Sequence, residues 1–201
     1  MDPVQPSQEL VVVRREETEV PLSQLRAEKP RLGKLSAGII VVCQDEVNPS
    51  NFKVLLIRRP YTDSFPGTSE CPHGKSDEGD KTIMNTALRE TKEEIDLKIS
   101  PETFLPFGYR RTFWYRETWM TSYHLIAVIR GTFQVKLSKE HIEEGFFDEK
   151  MVKEFGLFDP NKTERGQPVM LDSMKKMLCH FFANRKNLMK GDIDAIVPME
   201  N

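Results

Sequence analysis

The chain has 201 residues, with 29 basic against 31 acidic side chains and a formal net charge of -2. That length suits one ordinary domain of roughly 100 to 200 residues with a full core. The near balance of charge excludes a global field for gripping long nucleic acid or an anionic membrane, so an anionic ligand must be met locally. Cys43, Cys71 and Cys179 are odd in number and widely spaced, which suits reduced thiols and neither a disulfide framework nor a zinc site. No apolar run approaches the roughly 18 residues of a membrane span, and the Met-Asp-Pro start carries no basic segment followed by an apolar one. The expected location is cytoplasmic, with secretion after removal of a signal peptide left open.

Residues 1–33 are polar and proline-dotted and read as a loosely structured N-terminal segment, with at most an edge strand at Leu10-Val11-Val12-Val13. The compact domain is expected over 34–190, followed by a tail at 191–201. Residues 37–43 and 53–58 are β-branched apolar runs, predicting two buried strands joined by a polar loop. Between 60 and 81, Pro60, Pro66, Gly67, Pro72, Gly74 and Gly79 predict a long loop, and long ordered loops are often functional. Residues 82–98 contain no Gly or Pro, and Ile83, Ala87, Thr91 and Ile95 recur every four residues beside Leu88, predicting an amphipathic helix. After an aromatic and basic stretch at 103–119, strands are expected at 121–130 and 131–137, then a short strand and short helix within 140–156. A helix over 168–188 carries Met170, Met174, Met177, Leu178, Phe181 and Phe182 at helical spacing, which reads as core. The fold class is α/β, an α+β sandwich in which a mixed sheet is covered by helices.

The chemistry concentrates in Arg89-Glu90-Thr91-Lys92-Glu93-Glu94. On a helix Glu90 and Glu94 lie about 40° apart and Glu93 about 60° to one side, so three carboxylates share a face bordering the apolar stripe. Their mutual repulsion calls for a cation. Arg89 can orient Glu93 through a bidentate pair, but one guanidinium does not neutralise three carboxylates. A hard divalent ion with oxygen ligands does. The competing reading is a solvated acidic face with Lys92 and Lys98 as partners. The preceding stretch, Pro72-His73-Gly74-Lys75-Ser76-Asp77-Glu78-Gly79-Asp80, weighs against it, because a glycine-bearing turn brings backbone close to a metal-phosphate cluster. Tyr109-Arg110-Arg111-Thr112-Phe113-Trp114-Tyr115 offers rings to stack a base and arginines to hold phosphate, or else strand aromatics packing a core. Arg58 joins Arg110, Arg111, Phe113, Trp114 and Tyr115 as a candidate substrate-binding residue.

Residues 74–97 resemble the box of the Nudix hydrolases: Gly74, five residues, Asp80, eight residues, then Arg89-Glu90-Thr91-Lys92-Glu93-Glu94-Ile95-Asp96-Leu97. Ser64-Phe65-Pro66-Gly67 and Glu70-Cys71-Pro72-His73-Gly74-Lys75 resemble the lead-in of fungal-type members, and the likeness spans roughly 34–157. The departures are Asp80 for Glu, one inserted residue before Arg89, Thr91 for a hydrophobe, Asp96 for the late Gly and His73 for a common Gly.

The resemblance implies the Nudix fold with its catalytic loop-helix-loop, and Mg2+ or Mn2+ bound by Gly74, Glu90, Glu94 and Asp80, with Asp77 or Glu78 as alternatives to Asp80. It implies catalytic roles for Glu90, Glu93 and Glu94, with Arg89 orienting them. A further acid is expected from the later loop, where Glu144 is preferred to Glu143 and His141 is a rival base. The implied reaction is hydrolysis of a phosphoanhydride bond in a nucleoside diphosphate-linked substrate. The 5' end of capped mRNA or a dinucleotide is favoured, since decapping enzymes and pathogen effectors are among the family's classes. The alternatives are an inositol pyrophosphate hydrolase and a Nudix-fold binding module without turnover.

Overall fold

The structure, a computed structural model, describes residues 9–29, 32–62, 64–115, 117–131, 133–159, 168–192 and 194–196. The chain runs through β1 (Glu9–Arg14), α1 (Glu16–Glu19), α2 (Leu22–Glu28), β2 (Lys34–Gln44) and β3 (Phe52–Arg58). Two short strands, β4 (Ser69–Glu70) and β5 (His73–Lys75), precede α3 (Ile83–Ile95), and the long β6 (Phe104–Tyr115) and β7 (Thr118–Arg130) follow it. The last part carries β8 (Glu143–Phe147), α4 (Glu149–Glu154), β9 (Gly156–Leu157), β10 (Val169–Met170) and α5 (Asp172–Lys190).

A mixed sheet in the order β1-β6-β7-β2-β3-β4 organises the molecule, with β5 paired to β2 and β8 to β3. Among the described residues only β2 and β7 run parallel within it, while β9 and β10 form a separate parallel pair. Successive side chains of a strand point to opposite faces, and both faces of β2 and β3 are buried. Leu35, Ala37, Ile39 and Val41 with Leu55 and Ile57 pack against Leu22 and Leu25 of α2 and Ile83, Ala87 and Ile95 of α3. Ile40, Val42, Val54 and Leu56 face the other way, onto Val152 of α4 and Met177, Leu178, Phe181 and Phe182 of α5. This is the expected sandwich, and two-sided burial explains why these strands read as unbroken apolar runs.

One edge of β2 is shared. Its C-terminal part pairs with β3 at Val42, Cys43 and Gln44, and its N-terminal part pairs with β5 at Ser36, Ala37 and Gly38. The two partners diverge, and the stretch from 60 to 81 fills the opening with β4 and β5, more regular structure than its Pro and Gly content predicts. The divergence sets β5 against both β2 and α3, which places the site.

Three further regions differ from expectation. The helix expected from 168 starts only at Asp172, because Val169 and Met170 pair with Gly156 and Leu157 as β10. The segment 9–29 is built into the domain: β1 pairs antiparallel with β6 along its length, and α2 buries Leu22 and Leu25. Two leucines on a two-turn helix are too few to stand out as periodicity. The described residues of 131–137 form no strand. Gly131, at φ +81, turns the chain out of β7, and the N–H groups of Lys136 and Ser138 then donate to the carbonyls of Ile95 and Glu94. The extended segment straps the last turn of α3, meeting carbonyls that have no partner within the helix. Phe133, Val135 and Leu137 pack on the core from there, which gave them their strand-like alternation. Among the described residues no helix is long and apolar enough to cross a membrane.

Candidate active site

Helix α3 begins where the Thr82 side chain accepts the Asn85 N–H and ends at Asp96, a left-handed residue at φ 55. Ile83, Ala87, Thr91 and Ile95 are buried, and the Thr91 hydroxyl satisfies itself on the Ala87 carbonyl at 2.8 Å. With that face fixed, Glu90 and Glu94 are turned toward β5. Glu94 is only 6% exposed, and its Oε2 accepts the His73 N–H at 2.8 Å. Glu90 lies against Gly74 so closely that a Cβ built there would sit 2.1 Å from the carboxylate. Glu93, one step around the helix, faces solvent and pairs with Arg89 at 3.0 Å.

Arg89 is the hub of this arrangement. Its guanidinium also meets Glu90 at 2.9 Å, both oxygens of Asp80 at 2.9 and 3.1 Å, and the Lys75 carbonyl at 2.8 Å. Asp80 accepts further from the Asp77 N–H and the Thr86 hydroxyl. Burial pushes the Asp80 carboxyl up, but the bonds from Arg89, Asp77 and Thr86 outweigh it and hold the group below its ordinary range. Asp80, expected as a metal ligand, is therefore occupied in fixing Arg89 and does not line the cleft.

That cleft has a volume of about 590 Å3. Of the expected site residues it collects Gly74, Arg89, Glu90, Glu93, Glu94, Arg111 and Phe113. Glu144 is elsewhere, exposed on β8 opposite Ile57, while its neighbour Glu143 pairs with Arg58 at 2.8 Å. Neither Glu144 nor Arg58 lines the cleft; the loop before β8 contributes Glu140 and His141 instead. On β6 the strand alternation divides the aromatic-basic stretch. Arg111 and Phe113 face the cleft, whereas Arg110 joins Glu17 at 2.9 Å, and Trp114 is 47% exposed with its ring 5.3 Å from Trp119. The Tyr115 side chain lies outside the described residues.

Several cleft residues were not singled out from the sequence. Glu70 pairs with Arg59 at 2.6 Å, and His141, the rival base already read from the sequence, is buried between Glu70 and Glu94 at 3.9 and 3.8 Å. The His73 ring meets the hydroxyls of Ser122 and Ser36 at 2.8 and 3.1 Å and stacks on His124 with 5.1 Å between centroids. Only the short spacing from Glu70 to Gly74 gave a hint; Ser36, Ser122 and His124 arrive on strands remote in sequence.

The electrostatics follow from enclosure. Burial drives the Glu94 carboxyl up to about 8; the His73 amide pulls the other way, while Glu70, Glu90 and Glu140 add to the rise. Burial likewise raises Glu90 against the pull of Arg89. The His73 imidazole is pushed down to about 4 by burial, partly offset by Glu70. Among the described residues no three His, Cys, Asp or Glu side chains converge into a finished metal cage. The donor set nonetheless fits a hard divalent cation: two partly desolvated carboxylates on one helix face, packed on a glycine edge that leaves room for no side chain.

Residues 32–171 match the family model described as the NUDIX domain. Solved structures with a similar fold include a MutT/nudix family protein from Enterococcus faecalis, at a TM-score of 0.55 and 16% identity, covering 86% of this chain and 71% of that one. A NUDIX hydrolase from Alicyclobacillus acidocaldarius is similar at 0.54 and 16% identity, covering 82% and 98%. The NUDIX domain of Shewanella oneidensis NrtR, solved with ADP ribose, reaches 0.50 and 16% identity, covering 76% and 86%.

Proposed function

This chain belongs to the Nudix family, and from that premise we propose that it is a divalent-metal-dependent hydrolase of the phosphoanhydride bond in a nucleoside diphosphate-linked small molecule. The observation that carries the reading is the juxtaposition of Glu94 and Glu90 with the glycine edge of β5 inside one cleft.

In this reading Glu90, Glu94 and the Gly74 carbonyl hold Mg2+ or Mn2+, with Glu93 at the solvent side. The ion, when bound, polarises the bridging phosphates and lowers the pKa of a water. Arg89 keeps Glu90 and Glu93 oriented, pinned from behind by Asp80 and the Lys75 carbonyl. His141 and Glu140 reach the cleft where Glu144 does not, and they take its place as the residues positioned to handle the proton of the attacking water. Arg111 and Phe113 face the substrate.

A volume of about 590 Å3 is that of a small-molecule site. Among the described residues of that aromatic-basic stretch, Arg111 and Phe113 line the cleft and Arg110 and Trp114 do not. That favours a dinucleotide or an ADP-ribose-like compound over capped RNA, and the ADP ribose bound by the NrtR domain of the same fold is consistent with it.

The test is product release from ADP-ribose, dinucleoside polyphosphates, capped RNA and inositol pyrophosphate with Mg2+ or Mn2+, comparing the native chain with Glu94→Gln. Loss of one metal-binding carboxylate removes several kcal/mol of transition-state stabilisation, so a fall of roughly a hundredfold or more is expected. Metal or nucleotide binding without turnover of any substrate would make the chain a Nudix-fold binding module.

A further inference from the structure

The end of the cleft away from Glu90 and Glu94 is built for a different task. There β6 and β7 pass beneath the start of α5, and Arg111, Phe113, Ser122 and His124 meet Leu171 and Met174. Arg111 stands opposite Ser122 in the strand register, and His124 is the next residue of β7 on that face. Arg111 is partly buried, with its Nε fully enclosed, and its guanidinium lies 4.0 Å above the Phe113 ring. It donates to the Ser173 hydroxyl, a neutral partner, and its Nε has none. Among the described residues no carboxylate comes within ion-pair distance of it. His124 is 5% exposed, and its Nε2 also lacks a partner.

The first turn of α5 adds to this. Its cap position is Leu171, which makes no side-chain cap bond, and Asp172 is directed to Lys176 at 3.4 Å. Among the described residues no side chain caps the leading amides of this 19-residue helix, at the positive end of its dipole. A partly buried guanidinium that meets only a hydroxyl and the more distant charge of Glu70 is costly, and here it is grouped with an unpartnered imidazole and a helix N-terminus. The chemical complement of that grouping is an anion.

We propose that this end of the cleft is a second anion subsite, and that the substrate carries a phosphate group additional to the diphosphate that is cleaved. The inference rests on the hydrolase reading above. The carboxylates adjoin β5 and Arg111 stands on β6, with β2 and β7 between them. Three strand spacings set the backbones of β5 and β6 roughly 14 Å apart, so the two ends are distinct parts of one cleft. The stacked rings of His73 and His124 floor the space between, and the His73 amide is the one that holds Glu94.

The experiment has two arms. In EDTA, where no metal can bridge phosphate to the carboxylates, inorganic phosphate is titrated into the native chain while the Arg111 Nε–H and His124 ring N–H resonances are followed by 15N NMR; both shift if the subsite exists. With metal present, KM is compared within two substrate pairs: ADP-ribose against its 2'-phosphate, and diadenosine diphosphate against the tetraphosphate. One charge-assisted contact makes KM about tenfold or more lower for the phosphate-bearing member. The pair that responds tells a phosphomonoester from a longer phosphate chain.

In Arg111→Met the difference within the responsive pair collapses, and Tm holds or rises, because an apolar chain of similar length replaces a partly buried charge. A fall in Tm with the KM difference intact assigns Arg111 a structural role and overturns the proposal. Unmoved resonances and equal KM values within both pairs, in a chain that still hydrolyses diphosphates, overturn the subsite and leave the hydrolase reading standing. Phosphate-induced shifts without hydrolysis of any substrate do the reverse.

Discussion

Gly74 shows how little room the site allows. Its φ is ordinary, so what matters is the side of the residue that a Cβ would occupy, already filled by the Glu90 carboxylate at 2.1 Å. Gly74→Ala must push Glu90 aside, and misplacing a catalytic group by about 1 Å costs on the order of a hundredfold in rate. The expected result is loss of turnover and of any Mg2+-induced thermal shift, with the apo melting temperature nearly unchanged; full activity in this variant would remove Glu90 from the mechanism. Asp80 has a different signature. Because both its oxygens bond Arg89, Asp80→Asn is expected to lower kcat and Tm while leaving the Mg2+ affinity measured by calorimetry as it was. A large loss of affinity would restore the ligand role that the sequence spacing suggested. Spacing places Asp80 at the start of the helix, but it does not say that the arginine nine residues on will claim the carboxylate.

At the level of elements, α3 was legible because two signals agree in it: four-residue apolar spacing and the absence of Gly or Pro. The expected end at Lys98 overshot to Ile95, and the reason is Asp96 in the left-handed conformation at φ 55. Asp accepts that region better than most L-residues, though at a cost that Gly does not bear. Asp96→Gly is expected to stabilise the chain by roughly 0.5 kcal/mol, after loss of the exposed Lys92–Asp96 pair, and to raise Tm by about one to two degrees. Asp96→Ala should lower Tm, since it loses the pair and keeps the strain. The strap at 133–138 was misread as a strand because alternation reports a buried face and is silent on the hydrogen-bonding partner. Here that partner is the end of a helix.

Across the whole molecule, the sheet and its two covering layers were legible because buried strands announce themselves, while the far end of the cleft was not. Arg111, His124, Ser36 and Leu171 share a space only because β6, β7, β2 and the start of α5 converge, and no local pattern encodes that convergence. The same holds for the point that ties the N-terminal segment to the domain. Glu17 of α1 accepts from the Tyr123 hydroxyl at 2.8 Å and Arg110 at 2.9 Å, and pairs with Lys29 at 2.9 Å, joining α1 to β6 and β7. Burial alone raises this carboxyl, but the bonds from Lys29, Tyr123 and Arg110 overcome it and hold the group below its ordinary 4.5. A carboxyl depressed in the folded state stabilises the fold above its unfolded pKa, and that contribution is lost as pH falls through the lower, folded value. Glu17→Gln leaves Arg110 without a counter-charge and is expected to cost about 1 to 3 kcal/mol at pH 7 by urea denaturation. The gap to the native chain should then close progressively as the pH is taken below 4.5. A gap independent of pH would mean that the network acts through packing alone, and that the N-terminal segment is attached by Leu22 and Leu25 and not by charge.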